Sequence, residues 1–546
     1  MKKLIALLIV LSLCFSSCAF VEELFVGDSS DNNAFENWPP QIGGKGDDDS
    51  DDSGNSTGTG SGNKNDSFVD NGTSGCAADK HTDKDNNGSC DYCSVSVIVV
   101  VDILALNDLH GKVTSSSAQP GIGGLTTYLR NEADEGAILL SSGDMWQGTA
   151  ESGLTYGAIM TDWMSEVGFV SMTIGNHEYD WSEQYLYSND EIAGFPFLGI
   201  NVYSSKTGQR ADYATPSIVV ERDGVQIGII GAIGDCYSSI SGDVAGDFTF
   251  KTGSQLTALV KAESERLRAA GVDFIIYSIH DGYESSPSGI KSVSDSDISA
   301  YYDASLSNGY VDLVFEAHTH QAYILKDSYG VYHLQGGGEN SGLSRAEINV
   351  NTANGSTSVT NPTIVRSVNW QYLDTHQIVT DLLTEYSDVI AKATEKLGYN
   401  STYRRDSVLE QLVADLYYQF GVETWGDEYT VTLGGGFLRT RSPYNLQSGN
   451  VYYSDVYSLF TFNNDIVLCS ISGRDLLNNF INSTKSDYYV SAGVNASSID
   501  QSKTYYIVVD TYTSSYRYNN LTEVARVSGT YARDLLAEYI KAGGLA

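Results

Sequence analysis

The main body of the chain announces itself as alternating apolar runs and amphipathic stretches. Val97–Leu106 is a β-branched, almost wholly apolar run of strand character. Comparable runs recur at Ala137–Leu140, Phe169–Ile174, Ile227–Ile233, Phe274–Tyr277 and Leu313–Phe315. Helical patterns separate several of them, as at Leu256–Ala270. Strands interleaved with helices predict an α/β domain over residues 97–365. A single helical pattern at Thr380–Leu397, with Leu382, Leu383, Tyr386, Val389 and Ile390 on one face, then predicts a bridge within a linker, 366–398. Beyond it the pattern resets. An amphipathic helix around Leu409–Tyr417, strands at Tyr429–Leu433, Asp465–Ile471 and Tyr505–Val509, and a last helix at Tyr531–Ile540 predict a smaller α/β domain, 399–546.

The residues before 97 do not follow these periodicities. Lys2 and Lys3 precede an apolar run, Leu4–Phe15, and the small residues Ser16 and Ser17 precede Cys18. This reads as an export signal over 1–18 of the lipoprotein type, with Cys18 as the anchor point; the alternative is an ordinary secretory signal. The run is too short to span a membrane. Residues 19–75 are acidic and Gly/Ser-rich, a composition that cannot offset its ordering entropy and predicts a disordered tether. A small module follows at 76–94. Cys76, His81, Cys90 and Cys93 have a spacing suited to one zinc ion. Asp83, Asp85, Asn87, Gly88 and Asp91 resemble the first half of a calcium loop, although Ser94 stands where the bidentate Glu is expected. Structural zinc, calcium, a disulfide or a spacer without metal all remain open readings there. Cys236 and Cys469, far apart among apolar neighbours, read as buried thiols.

Composition narrows the function. Asp and Glu number 69 against 32 Lys and Arg, a net charge of -37. That excludes a nucleic-acid polymer as partner and docking on anionic lipid, leaving the membrane only through the lipid anchor. A small phosphate-bearing substrate would need cations to neutralise it.

The chemistry concentrates at strand ends. Asn107-Asp108-Leu109-His110-Gly111, Ser142-Gly143-Asp144, Gly175-Asn176-His177-Glu178, Ile279-His280-Asp281 and Ala317-His318-Thr319-His320 each follow a predicted strand, where ligands bind in open α/β sheets. Five of the 8 histidines lie in these motifs. Imidazole and carboxylate suit divalent Zn, Mn, Fe or Co. Two such ions clamp a phosphoryl group and generate hydroxide from water.

This ordered set resembles the calcineurin-like metallophosphatases, and residues 97–546 together resemble the bacterial and animal 5'-nucleotidases. The resemblance implies a four-layer α/β/β/α metallophosphatase domain followed by a smaller α/β substrate-binding domain. It implies that Asp108, His110 and His320 hold one ion, that Asn176, His280 and His318 hold a second, and that Asp144 bridges them. His177, oriented by Asp180, would stabilise the transition state or protonate the leaving oxygen. In the C-terminal part, Gly434-Gly435-Gly436 with Arg439, and Arg404 and Arg405 before a helix, resemble phosphate-binding segments. Phe462, with Tyr516 or Tyr518, would stack on a base. Leu433 stands where the family has Asn, and the turn around Tyr516 differs from the family's. The implied activity is extracytoplasmic, dimetal, 5'-nucleotidase-type hydrolysis by metal-hydroxide attack on phosphorus, with a nucleotide as partner. A 2',3'-cyclic phosphodiesterase or a nucleotide-sugar pyrophosphohydrolase is the alternative, and a surface binding protein without catalysis is a third reading.

Overall fold

Along β1 (Ile98–Leu106), Val101, Ile103 and Ala105 enter one core while Leu104 and Leu106 enter another. A strand buried on both faces along most of its length needs such a nearly continuous apolar run, because alternate side chains point opposite ways. The same division holds in β2 (Ile138–Ser141), where Ile138 and Leu140 face one core and Leu139 the other. The computed structural model describes residues 81–115, 121–240, 248–284, 290–292, 309–438, 440, 445–483, 488–518 and 520–546. The export signal with Cys18, the acidic tether, Cys76 and Arg439 lie outside them.

Two sheets stack face to face. The first runs in the order Thr357–Arg366, Gly342–Asn351, β1, β2, β3 (Phe169–Thr173), Phe197–Leu198, with β1, β2 and β3 parallel. The second runs Ile290–Ser292, Ala322–Lys326, Tyr332–Gly336, then strands Leu313–Phe315, Phe274–His280, Val225–Ile233 and Ser217–Arg222. In chain order these become β4 (Val225–Ile233), β5 (Phe274–His280) and β6 (Leu313–Phe315), which are mutually parallel. Ile103, Ile138, Ile229, Phe274, Ile276 and Phe315 fill the space between the sheets. Helices α1 (Ile122–Asp134) and α3 (Ala158–Val167), flanking the short α2 (Ala150–Leu154), cover the outer face of the first sheet. Helix α4 (Ser254–Ala269) covers that of the second through Leu256, Val260 and Leu267. The result is the expected four-layer α/β/β/α arrangement.

The bridging pattern departs from expectation. Instead of one helix there are two, α5 (Gln377–Glu385) and α6 (Ser387–Ala393), followed by a strand at Lys396–Asn400 that pairs antiparallel with Gly449–Tyr452. The break falls at Tyr386, whose hydroxyl donates to the Asp162 carboxylate on α3. A tertiary hydrogen bond there overrides the continuous periodicity.

The C-terminal sheet runs Tyr488–Val490, then β7 (Val431–Phe437), β9 (Thr504–Asp510), β8 (Ile466–Ser472) and Thr522–Val527. Leu468 and Val508 pack on one face under α7 (Asp406–Trp425) and α9 (Ala532–Lys541). Leu433, Val467, Ile507 and Val509 pack on the other with Phe480 and Tyr518. Ala150 of α2 lies in the same core as Val456 and Tyr457 of α8 (Tyr453–Leu459), so that α2 belongs to the C-terminal packing as well. All described residues fall in one compact unit. Among them no helix is long and apolar enough to cross a membrane.

Candidate active site

The carboxyl ends of β1, β2, β3, β5 and β6 all open on one side of the stacked sheets, and their motifs converge. Ligand atoms of Asp108, His110 and His320 lie within 4.8 Å of one another, as do those of Asp108, Asp144 and His280. Asp108 therefore joins the two groups. The Nε2 atoms of His110 and His320 face each other at 3.0 Å. His280 Nε2 is 3.1 Å from Asp144 Oδ2 and 3.2 Å from Asn176 Oδ1. The His318 ring lies 5.5 Å from that of His280, centroid to centroid.

Local backbone geometry explains how strand-end residues aim at a common point. Asp108, His110, Asp144, His318 and His320 have φ of 49, 53, 55, 66 and 55°, all left-handed. Each such residue costs about 1–3 kcal/mol, and the conformation persists only where the surroundings hold it. Several contacts do so. His110 Nδ1 is 2.8 Å from the Gln147 carbonyl, and His280 Nδ1 is 2.7 Å from that of Ser142. The Asp108 carboxylate accepts the His318 N–H at 2.9 Å. Gly175 must lack a side chain, since a Cβ there would sit 2.3 Å from Asp144 Oδ1.

The electrostatics fit cations. Burial alone would raise the Asp144 carboxyl, but the His280 and His177 imidazoles hold it well below the usual range. Burial alone would lower His280, but Asp144 outweighs it and carries the imidazole up to about 10. His280 thus holds a proton toward Asp144 and Asn176, at a place where a divalent ion would replace it. Burial and the neighbouring His280 push His318 down to about 4, keeping it a neutral donor. A set of imidazoles, carboxylates and one amide oxygen, buried except at His318 and His320, with side-chain nitrogens oriented by carbonyls, fits borderline divalent metals.

His177 stands beside this set. Its backbone N–H donates to Asp144 Oδ1 at 2.9 Å, and its Nδ1 lies 2.6 Å from Asp180 Oδ2. One edge faces His110, with ring centroids 5.2 Å apart. Its other neighbour is Phe462, stacked at 6.1 Å and 44% exposed. Phe462 comes from the C-terminal part, directly after α8, so the two parts meet at His177.

The other expected substrate residues scatter. Arg404 pairs its backbone with Leu446, and its Nε donates to Asn400 Oδ1 at 2.9 Å. Arg405 precedes α7. Tyr516 is exposed, and its hydroxyl donates to the Ser238 and Ile240 carbonyls after β4, at 3.0 and 3.1 Å. Two expectations need correction. Gly435 does not lie on a loop that approaches a ligand. It sits inside β7, where a Cβ would meet the Tyr489 carbonyl at 2.1 Å, so strand pairing requires the glycine. Tyr518 is buried against Phe480, its hydroxyl bonded to Asn479 at 2.7 Å, and packing leaves no face for a base.

Four residues beside the site were given no role in it by the sequence. Glu178 is fully buried and accepts the N–H groups of Asp144 (2.9 Å), Met145 (2.8 Å), Trp146 (3.3 Å) and Gly175 (2.8 Å). Burial and the Asp144 charge raise its carboxyl to about 7. Gln335 holds the His318–His320 turn through the Gln321 N–H and the Thr319 hydroxyl, each at 2.9 Å. Cys236, buried and thiol-bearing as expected, places its sulfur near the His280 and His318 nitrogens. Arg533, buried on α9, donates to the Phe462 carbonyl at 2.9 Å and to the Asn463 side chain, fixing the turn that carries Phe462. A charge in register with Leu536, Ala537 and Ile540 on an apolar helix face was the available signal for it.

The chain is similar to several known proteins. Residues 389–495 match the family described as 5'-nucleotidase, C-terminal domain. A 5'-nucleotidase of Vibrio cholerae is 28% identical over 228 residues, which is 40% of this chain and 40% of that protein. The match therefore spans about two fifths of that relative's length. An apyrase of Tabanus yao is 24% identical over 424 residues, 70% of this chain and 72% of that one. The crystal structure of a 5'-nucleotidase precursor from Thermus thermophilus superposes with a TM-score of 0.60 at 17% identity, covering 81% of this chain and 96% of that one.

Proposed function

We propose that this chain is a 5'-nucleotidase-family enzyme, an extracytoplasmic, dimetal phosphoesterase that removes phosphate from nucleotides. The observation that carries the reading is the convergence of nitrogen and oxygen donors from five strand ends, with the His110 and His320 Nε2 atoms 3.0 Å apart. Asp108, His110 and His320 would hold one ion, Asn176, His280 and His318 the other, and Asp144 would serve both. Bound there, the ions supply the positive charge that a chain of net charge -37 otherwise lacks, polarise the phosphoryl oxygens and activate water.

The protein's own groups do the rest. Asp180 accepts from His177 Nδ1, fixing the ring so that Nε2 faces the departing ester oxygen, to which it would give a proton. Glu178 holds the turn that presents Asp144. Phe462 offers an apolar face for a base beside His177. Arg404, Arg405 and Arg439 supply cations for phosphate, and Tyr516 a second aromatic face. Export through the 1–18 segment, with Cys18 as lipid anchor and 19–75 as tether, places the enzyme at the bacterial cell surface.

A second reading keeps the site and changes the substrate to a 2',3'-cyclic nucleotide or a nucleotide sugar. It is favoured by the enclosure of Gly435 within β7, which leaves a base-reading segment unlike the family's glycine loop. Purified protein supplied with Mn or Zn and assayed on nucleoside monophosphates, cyclic nucleotides and nucleotide sugars separates the two. Nucleoside monophosphates should be hydrolysed fastest, and Asp144→Asn should fall to background. Wild-type rates in that variant would overturn the site.

A further inference from the structure

The module before β1 plays no part in the phosphoesterase reading, yet it gathers three soft ligands. Cys93 Sγ lies 3.4 Å from His81 Nδ1, and ligand atoms of His81, Cys90 and Cys93 are all within 4.8 Å of one another. Zinc bonds of about 2.3 Å to sulfur and about 2.0–2.1 Å to nitrogen, at a tetrahedral angle, put those two atoms about 3.6 Å apart. The observed separation is that of two ligands around one ion. Neither cysteine forms a disulfide with another described residue. The turn after Cys90 closes through the Ser94 N–H on the Cys90 carbonyl at 2.9 Å, which brings Cys93 back beside Cys90.

The acidic residues of the module are engaged differently. The Asp83 carboxylate accepts the N–H groups of Asn87 (3.0 Å) and Gly88 (2.9 Å) and the side-chain amide of Asn351 (2.6 Å). Asn354 donates to the Asp83 carbonyl at 3.1 Å and to Asn86 Oδ1 at 3.0 Å, and the Ser356 hydroxyl reaches Asn86 at 3.1 Å. The Val97 N–H closes on the Gly88 carbonyl at 3.0 Å, just ahead of β1. Asp83 thus ties the module to the 351–356 turn of the first sheet, while the two sulfurs and the imidazole turn toward one another.

We propose that His81, Cys90 and Cys93 supply three ligands of a structural Zn2+ site, distinct from the catalytic pair, that fixes this module against the 351–356 turn. Cobalt substitution of the full chain tests it. Cobalt-loaded wild type should show a thiolate-to-metal charge-transfer band, and so should Asp144→Asn, which disables the catalytic centre but leaves the module intact. The band should vanish in the Cys90→Ser, Cys93→Ser double variant, while that variant keeps wild-type phosphatase activity. Cys93→His, which exchanges one ligand for another, should still bind cobalt, guarding against loss of folding as the explanation. The absence of a thiolate band in wild type, or a Cys90–Cys93 disulfide found by mass spectrometry of the native protein, would overturn the proposal. Neither outcome bears on the catalytic site.

Discussion

The strand-end crown and the aromatic segment that faces it are built on different principles. In the crown, five residues adopt left-handed backbone, and buried groups such as Glu178 and Gln335 spend nearly every hydrogen bond on holding them. Opposite, Arg533 fixes Phe462 through its backbone carbonyl, and the ring stacks on His177 while staying half open to solvent. The first arrangement fixes the position of each ligand atom through backbone and hydrogen bonds, which shared ligands demand. The second fixes a ring's location and leaves its face free, which suffices for stacking on a planar group. The lesson is that chemistry and recognition draw on separate stabilising devices even where they touch, at the His177–Phe462 contact.

The contrast can be broken most decisively at that contact. His177→Asn should lower kcat by about 10²–10⁴-fold with metal content unchanged, measured by steady-state kinetics and elemental analysis. A loss of metal in this variant would instead make His177 a ligand. Glu178→Gln sets an amide N–H against two of the four backbone donors that the carboxylate accepts. It should weaken metal binding by roughly 10–100-fold, read by chelator competition. An unchanged affinity would show that the left-handed turns hold themselves. Phe462→Ala should raise KM for nucleotides about fivefold, roughly 1 kcal/mol of stacking, and leave kcat and hydrolysis of a phosphate ester without a base unaffected. If kcat fell as far as in His177→Asn, the separation of chemistry from recognition would fail.

The smallest effect concerns support further from the crown. His333 lies buried between Glu316, at 2.9 Å, and Asp327, at 3.4 Å. Burial alone would lower its pKa, but these carboxylates raise it to about 9. Because the folded value exceeds the unfolded value of about 6.5, the contribution to stability is complete below the unfolded pKa and fades as pH rises through the folded one. The Tm gap between wild type and His333→Gln should therefore narrow between about pH 6.5 and pH 9. A gap independent of pH would mean that His333 serves only as packing.

Much of this was written in the residue order. The apolar runs at 97–106, 227–233 and 274–277 read as strands, and the histidines that follow such strands pointed to one end of the sheets as the candidate site. Periodicity could not show that Tyr386 breaks the bridging helix, because the cause is Asp162, more than two hundred positions away. Nor could it show that Gly435 serves strand pairing or that Tyr518 is enclosed, since both follow from neighbours on the C-terminal sheet. Arg533 was visible as a charge on an apolar helix face, but its target was not.

The sequence alone determined which side chains are candidates for the proposed chemistry and which segments form the layers, because side-chain type and alternation are local properties of the chain. Tertiary structure decided that Asp108 and His320 share a pocket, that Glu178 gathers four backbone amides, and that Phe462 reaches His177. Those facts depend on distances between segments remote in sequence, which only the packing of the layers sets.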